Sequence, residues 1–248
     1  MAGTGIGYDD ASGPEGVRVY AIGDIHGRLD LLEKMHGLID ADRAGYPGKD
    51  WLVIHVGDYV DRGPDSRGVI DFLISAADRD PRYVSLGGNH DVGFLDFLSD
   101  PRPDGLFARH GGRQTALSYG VDIDFDDPRS LAAGRAALDA AMPARHRAFL
   151  EGLHFSSTAG DCFFCHAGIR PHVALDRQAV DDLIWIRDVF LDFSGLHEKV
   201  IVHGHTPANE PEVRANRVNV DTGAFRTGRL TAFVIDGRDK DFMTATAR

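Results

Sequence analysis

Asp24, Asp58 and Asn89 stand 34 and 31 residues apart, and each closely follows an apolar run. That pitch matches consecutive β-α-β units, which take roughly 30 residues or more. The runs at residues 17–22, 51–56 and 82–86 predict strands. Helical patterns follow over 29–40, from Pro64 to 77, and after 89 as far as 98. In the first of these, Leu29, Leu32, His36 and Ile39 recur on one face. Parallel strands would deliver all three polar residues to one carboxyl edge, the place where α/β sheets hold ligands.

The three residues belong to longer strings: Gly23-Asp24-Ile25-His26-Gly27, Gly57-Asp58-Tyr59-Val60-Asp61-Arg62-Gly63 and Gly88-Asn89-His90-Asp91. His166-Ala167-Gly168 and His203-Gly204-His205-Thr206 add two more, again at the ends of strand-like runs. A single Asp after Gly is usually a turn former. Five strings of hard oxygen and nitrogen ligands together predict a site for two divalent ions, built to hydrolyse a phosphate ester. Mn²⁺, Fe²⁺ and Zn²⁺ all accept mixed carboxylate and imidazole ligands. Asp24 and His26 lie two apart at one strand end, Asp58 can bridge both ions, and Asn89, His166 and His205 complete the second. Spacing alone leaves His203 and His205 as alternatives. Two ions roughly 3.5–4 Å apart can activate a hydroxide that attacks phosphorus directly.

His90 and Asp61 form a second constellation, with His90 as proton donor to the leaving oxygen and Asp61 orienting its ring and favouring its charged form. Arg62 and Arg187 are candidate clamps for phosphate oxygens, because guanidinium binds such oxygens bidentately. Arg187 follows Trp185 and Ile186 in a run that reads as buried. Asp91 reads as a second-layer residue or a first-turn helix charge.

The chain is long enough at 248 residues for one large α/β domain. Residues 1–16 are Gly-, Asp- and Ser-rich and read as a flexible arm without a signal peptide, so one domain is expected over 17–248. Residues 99–153 read as a helical insert beside the site, with helices at 112–119, 128–141 and 143–153. Substrate-selecting contacts are expected there. Strands at 154–159, 161–165, 200–203, 217–220 and 230–235 predict a second sheet packed on the first. A net charge of −11 argues against nucleic acid or anionic membrane as partner. No apolar run reaches the roughly 18 residues of a membrane span. Cys162 and Cys165 lie three apart in a strand-like run, so they face opposite sides and read as core in a reducing cytoplasm. Nothing in the sequence sets an oligomeric state, and a monomer is compatible with it.

The ordered strings, with Ile184-Trp185-Ile186-Arg187, Gly204-His205-Thr206-Pro207 and Asp221-Thr222-Gly223-Ala224, resemble the phosphoprotein phosphatase family of calcineurin-like metallophosphoesterases. The likeness runs over residues 17–236 and is nearest to the small bacterial and lambda-phage type of Ser/Thr protein phosphatase. It implies a four-layer αββα sandwich of two mixed sheets flanked by helices, and a dinuclear centre, commonly Mn²⁺-activated. By matched motif it implies Asp24, His26 and Asp58 on one metal and Asp58, Asn89, His166 and His205 on the other. It favours His205 over His203, makes His90 the acid with Asp61 behind it, and puts Arg62, Arg187 and Asn89 at the phosphate. The implied function is hydrolysis of a phosphoprotein or small phosphorylated substrate, with Ser/Thr phosphatase activity first. Asp91 stands where eukaryotic-type members have Glu. Gly-Asn-His-Asp also occurs in symmetrical diadenosine tetraphosphate hydrolases, which form the alternative.

Overall fold

Residues 17–22 alternate between two cores: Val19 and Ala21 pack on one side, Tyr20 and Ile22 on the other. A strand buried on both faces belongs in the middle of a sheet with layers above and below. The computed structural model describes residues 5–247. Its strands are β1 (Val17–Ile22), β2 (Asp50–His55), β3 (Tyr83–Ser85), β4 (Ser156–Ala159), β5 (Cys162–Cys165), β6 (Val200–His203), β7 (Glu212–Val213), β8 (Arg217–Asn219), β9 (Arg229–Asp236) and β10 (Asp239–Thr246). The first sheet runs β10-β9-β1-β2-β3 and the second β4-β5-β6-β8-β7. Both are mixed: β1, β2 and β3 are parallel, as are β5, β6 and β8, while the remaining pairs, β1-β9, β9-β10, β4-β5 and β7-β8, are antiparallel.

The helices are α1 (Leu29–Ala44), α2 (Ser66–Arg79), α3 (Asn89–Ser99), α4 (Leu106–Arg109), α5 (Gly112–Ser118), α6 (Pro128–Ala141), α7 (Ala144–Glu151), α8 (Val180–Trp185), α9 (Asp188–Leu191) and α10 (Ala224–Thr227). Three apolar clusters separate four layers. One packs α1 to α7 on the first sheet, a second fills the space between the sheets, and a third joins α8 and α9 to the second sheet. The expected αββα sandwich of two mixed sheets is therefore the observed fold. Cys162 lies in the inter-sheet core and Cys165 in the outer one, both as free thiols, as period-2 alternation requires.

Several expectations need correction. Residues 230–235 pair not with the second sheet but with β1, antiparallel, in the register Tyr20↔Val234. Their alternation is apolar on both faces, so it marks a central strand without saying of which sheet. Helix α2 begins at Ser66 rather than Pro64, because the Asp65 carboxylate caps it by accepting the Gly68 N–H at 2.8 Å. Strands β7 and β10 and helices α4 and α8 to α10 were not expected; β10 is polar at Asp239, Lys240 and Asp241. Residues 1–4 lie outside the described residues, but residues 5–16 are held rather than loose. The Ile6 and Tyr8 N–H groups donate to the His197 and Ala215 carbonyls at 3.0 and 2.7 Å, and Ala11 is fully buried.

The insert is anchored by aromatic packing. Phe107 on α4 stacks on Phe94 and Phe97 of α3 at 5.0 and 4.6 Å between ring centroids. Burial of each such ring stabilises by roughly 1.5–3 kcal/mol, which fixes α4 and α5 beside the strand ends.

Candidate metal centre

The five strings meet at one edge, where the backbone is unusually strained. Six non-glycine residues among those described have positive φ, and five are His26, Asp58, Asp61, Arg62 and His205. Such strain persists where surroundings over-determine it, and it concentrates at functional sites. Glycines permit the close approach: a Cβ on Gly204 would lie 2.0 Å from Asp24 Oδ1, and one on Gly88 2.2 Å from Asp58 Oδ1.

Asp58, at the end of β2, is the hub. Its Oδ2 faces His26 Nε2 at 3.4 Å, and its Oδ1 faces His166 Nε2 at 3.3 Å and accepts the His90 N–H at 3.0 Å. One carboxylate thus divides its oxygens between two imidazoles. The ring tautomers are set from behind: His26 Nδ1 donates to the Val60 carbonyl at 2.7 Å and His166 Nδ1 to the Val56 carbonyl at 3.1 Å. Each Nε2 lone pair is then directed inward, as metal-binding histidines require. Asn89 Oδ1 lies 2.9 Å from His166 Nε2 and 3.0 Å from His205 Nδ1, and those two nitrogens are 3.2 Å apart. Acceptors gathered this closely suit a shared cation.

Two groups can therefore hold a metal ion, His26 with Asp58 and His90, and Asp58 with His166 and His205. The second contains the expected residues, with Asn89 beside them. In the first, His90 stands where Asp24 was expected. Asp24 lies nearby with its carboxylate turned to the His205 N–H at 3.2 Å. His203 points away from the cluster: its Nδ1 meets the Gly204 carbonyl at 3.0 Å and its ring packs on Phe190. Burial of the acids is costly without positive charge. Burial, then Asp221 and Asp58, raises the Asp24 carboxyl well above its usual range; burial also raises Asp58 and pushes Asp221 up to about 6. The histidines respond oppositely, and burial lowers His166 to about 3.

His90 Nδ1 and Asp61 Oδ2 are 2.6 Å apart, so the expected pair forms. Burial lowers the His90 imidazole, with Asp58 opposing and Arg62 adding, and it raises Asp61 well above its usual range. Arg62 donates to the Nε2 atoms of His26 and His90 at 2.8 and 2.9 Å and lies over the Phe225 ring at 4.8 Å. Arg187 is exposed rather than buried, but its charge acts on Asp58, His166 and His205. Asp91 lies behind the hub, accepting the backbone N–H groups of Asp58 and Tyr59.

Sequence reasoning missed Asp221, Phe225, Ser66 and Thr115 around these groups. Asp221 had a signal in its Asp-Thr-Gly string; the others lie on helices or turns with no distinguishing pattern. A groove of about 520 Å³ opens from Asn89 and Trp185 between α3 and α4, lined also by Asp96, Asp100 and Asp104.

This fold and site define a metal-dependent phosphoester hydrolase of the two-sheet class. The calcineurin-like phosphoesterase family matches residues 17–227, and the chain belongs to it. It is 29% identical over 235 residues to a bis(5'-nucleosyl)-tetraphosphatase PrpE [asymmetrical] of Anoxybacillus flavithermus, covering 85% of this chain and 87% of that protein. The protein of the same name from Bacillus subtilis is 28% identical, with 86% of this chain and 88% of that one covered. Among solved structures, a protein serine/threonine phosphatase from Saccharomyces cerevisiae superposes with a TM-score of 0.56 at 15% identity, covering 97% of this chain and 86% of that one. That likeness concerns the fold alone.

Proposed function

We propose that the chain is a phosphomonoesterase that acts first on phosphoserine and phosphothreonine in proteins. The observation that carries the chemistry is the division of the Asp58 oxygens between His26 and His166, with the His90–Asp61 pair alongside. Asp24, His26, Asp58, Asn89, His166 and His205 would hold two divalent ions, Mn²⁺ before Fe or Zn. Bound there, the ions would lower the pKa of a water and neutralise phosphate charge. Arg62 and Arg187 would bind the non-bridging oxygens. Arg62 reaches both His26 and His90, so a phosphate bound to it would lie close to His90 Nε2. His90 would then pass a proton to the leaving oxygen while Asp61 holds Nδ1.

Charge around the site supports a single terminal phosphate. A polyphosphate calls for cations along its length, but Arg113 is committed to Asp122 at 2.9 Å and Arg102 faces Asp104 at 3.5 Å. The adjoining groove adds Asp96 and Asp100. A second reading, hydrolysis of dinucleoside tetraphosphates, is supported by the names of the relatives and by Trp185. Its ring is 45% exposed beside the centre and offers a face for stacking a base. Those names refer to the asymmetrical cut rather than the symmetrical one first considered. Turnover of phosphopeptides and diadenosine tetraphosphate by one preparation decides between them: the higher kcat/KM should go to the phosphopeptides, and preference for the dinucleotide overturns the first reading. The cytoplasm is the compartment we infer, supported by two free, buried cysteines and bacterial relatives. No helix among the described residues is long and apolar enough to cross a membrane.

A further inference from the structure

Asp61 and Arg62 are consecutive non-glycine residues in the left-handed region, with φ of 71° and 68°. Each such residue costs on the order of 1–3 kcal/mol and needs external support. That support comes largely from the helical insert. The Arg62 N–H donates to the Gly111 carbonyl at 3.1 Å, and the Asp61 N–H donates to Thr115 Oγ1 at 2.8 Å and to Ser66 Oγ at 3.1 Å.

Thr115 does more than hold the backbone. Its hydroxyl donates to Asp61 Oδ1 at 2.8 Å, and Asp61 Oδ2 meets His90 Nδ1 at 2.6 Å. The hydrogen-bond inventory of the hydroxyl is complete. Its proton goes to the carboxylate, and its lone pairs accept the Asp61 N–H and the Ser66 hydroxyl, the latter at 3.0 Å. Thr115, Ser66 and Asp61 are all fully buried, so water is not at hand to replace a lost partner. Among the described residues, Thr115 is the only one whose side chain bonds both the backbone and the carboxylate of Asp61.

We propose that Thr115 is a positioning residue for leaving-group protonation, acting through Asp61 on His90. The insert thereby contributes to catalysis and not only to the wall of the substrate cleft. This rests on the reading of His90 as the proton donor. Positioning errors near 1 Å cost up to about 100-fold, and full loss of a proton donor about 10²–10⁴-fold.

The test compares Thr115→Val, which keeps shape without the hydroxyl, with Thr115→Ser, which keeps the hydroxyl. A phosphoserine peptide supplies a poor leaving group and p-nitrophenyl phosphate a good one. Thr115→Val should lower kcat on the peptide by about ten-fold or more and on the aryl ester by about two-fold or less, with KM nearly unchanged. Thr115→Ser should restore most of the loss. Combined with His90→Asn, Thr115→Val should cost nothing further. Where the valine variant fails to fold, Thr115→Ala serves with the same graded loss expected. An equal loss on both substrates, no loss on either, or an added loss in the His90→Asn background would overturn the proposal. His90→Asn alone separates the two levels. If its own loss is the same for both leaving groups, the reading of His90 fails and the proposal with it; if its loss is graded and that of Thr115→Val is not, only the proposal fails.

Discussion

Asp91 holds Asp58 by the backbone: its Oδ2 accepts the Asp58 N–H at 2.8 Å and the Gly88 N–H at 2.9 Å, and its Oδ1 accepts the Tyr59 N–H at 2.9 Å. Asp58 is kept at φ 56° by this grip, and with it the orientation of the hub carboxylate. Each buried N–H left without a partner costs about 1–3 kcal/mol. Asp91→Ala should therefore destabilise the fold by several kcal/mol and weaken metal binding together. Denaturant unfolding and a metal titration check this; loss of stability with metal affinity intact would show that Asp91 does not position Asp58.

Gly111 packs directly against Arg62. A Cβ there would lie 2.5 Å from the Arg62 nitrogen, and φ at Gly111 is 109°. Gly111→Ala should push the Arg62 backbone away and weaken the phosphate binding proposed for Arg62. We expect a several-fold higher KM and weaker inhibition by inorganic phosphate, read from steady-state kinetics. An unchanged KM would remove Arg62 from the phosphate site.

His36 and His55 form a buried pair under the first sheet, Nε2 to Nε2 at 3.0 Å. His55 Nδ1 donates to the Val84 carbonyl at 3.1 Å, so its Nε2 accepts from His36. Both rings are neutral in this arrangement. Burial, helped by His55 and Arg79, lowers His36 to about 2, and burial lowers His55 to about 4 against the opposing Val84 bond. Folded values below the unfolded 6.5 mean that the unfolded chain takes up protons first as pH falls. The contribution of the pair is whole above about pH 6.5 and falls away below it, towards about pH 4 for His55 and about pH 2 for His36, by up to about 1.4 kcal/mol per pH unit per ring. His36→Gln keeps a donor for His55 and should flatten that dependence in urea unfolding at stepped pH. An unaltered slope would contradict it.

The parallel strands β1, β2 and β3 and the gathering of the motif strings at one edge were legible because a 31- to 34-residue pitch and the strings themselves report strand ends directly. Residues 230–235 were legible as a strand but not as a partner of β1, since pairing is a long-range choice that two-sided burial does not encode. Arg187 read as buried from its apolar neighbours, yet α8 ends just before it and turns the side chain outward. Thr115 left no trace: a threonine in a short helix gains meaning only when folding sets it against Asp61. The divergence of Asp24 and His26 was likewise hidden: the two share a strand end, but the Asp24 carboxylate turns to the His205 N–H while His26 faces Asp58.

Metal dependence tests the central claim most directly. The wild-type protein is stripped with a chelator, then Mn²⁺ is returned while bound ions and hydrolysis of an aryl phosphate are followed together. The stripped protein should be inactive, and activity should return as two ions bind per chain. Asp58→Asn, which removes the carboxylate facing both His26 and His166, should bind fewer ions and recover least. Full hydrolysis by the metal-free protein would contradict the account.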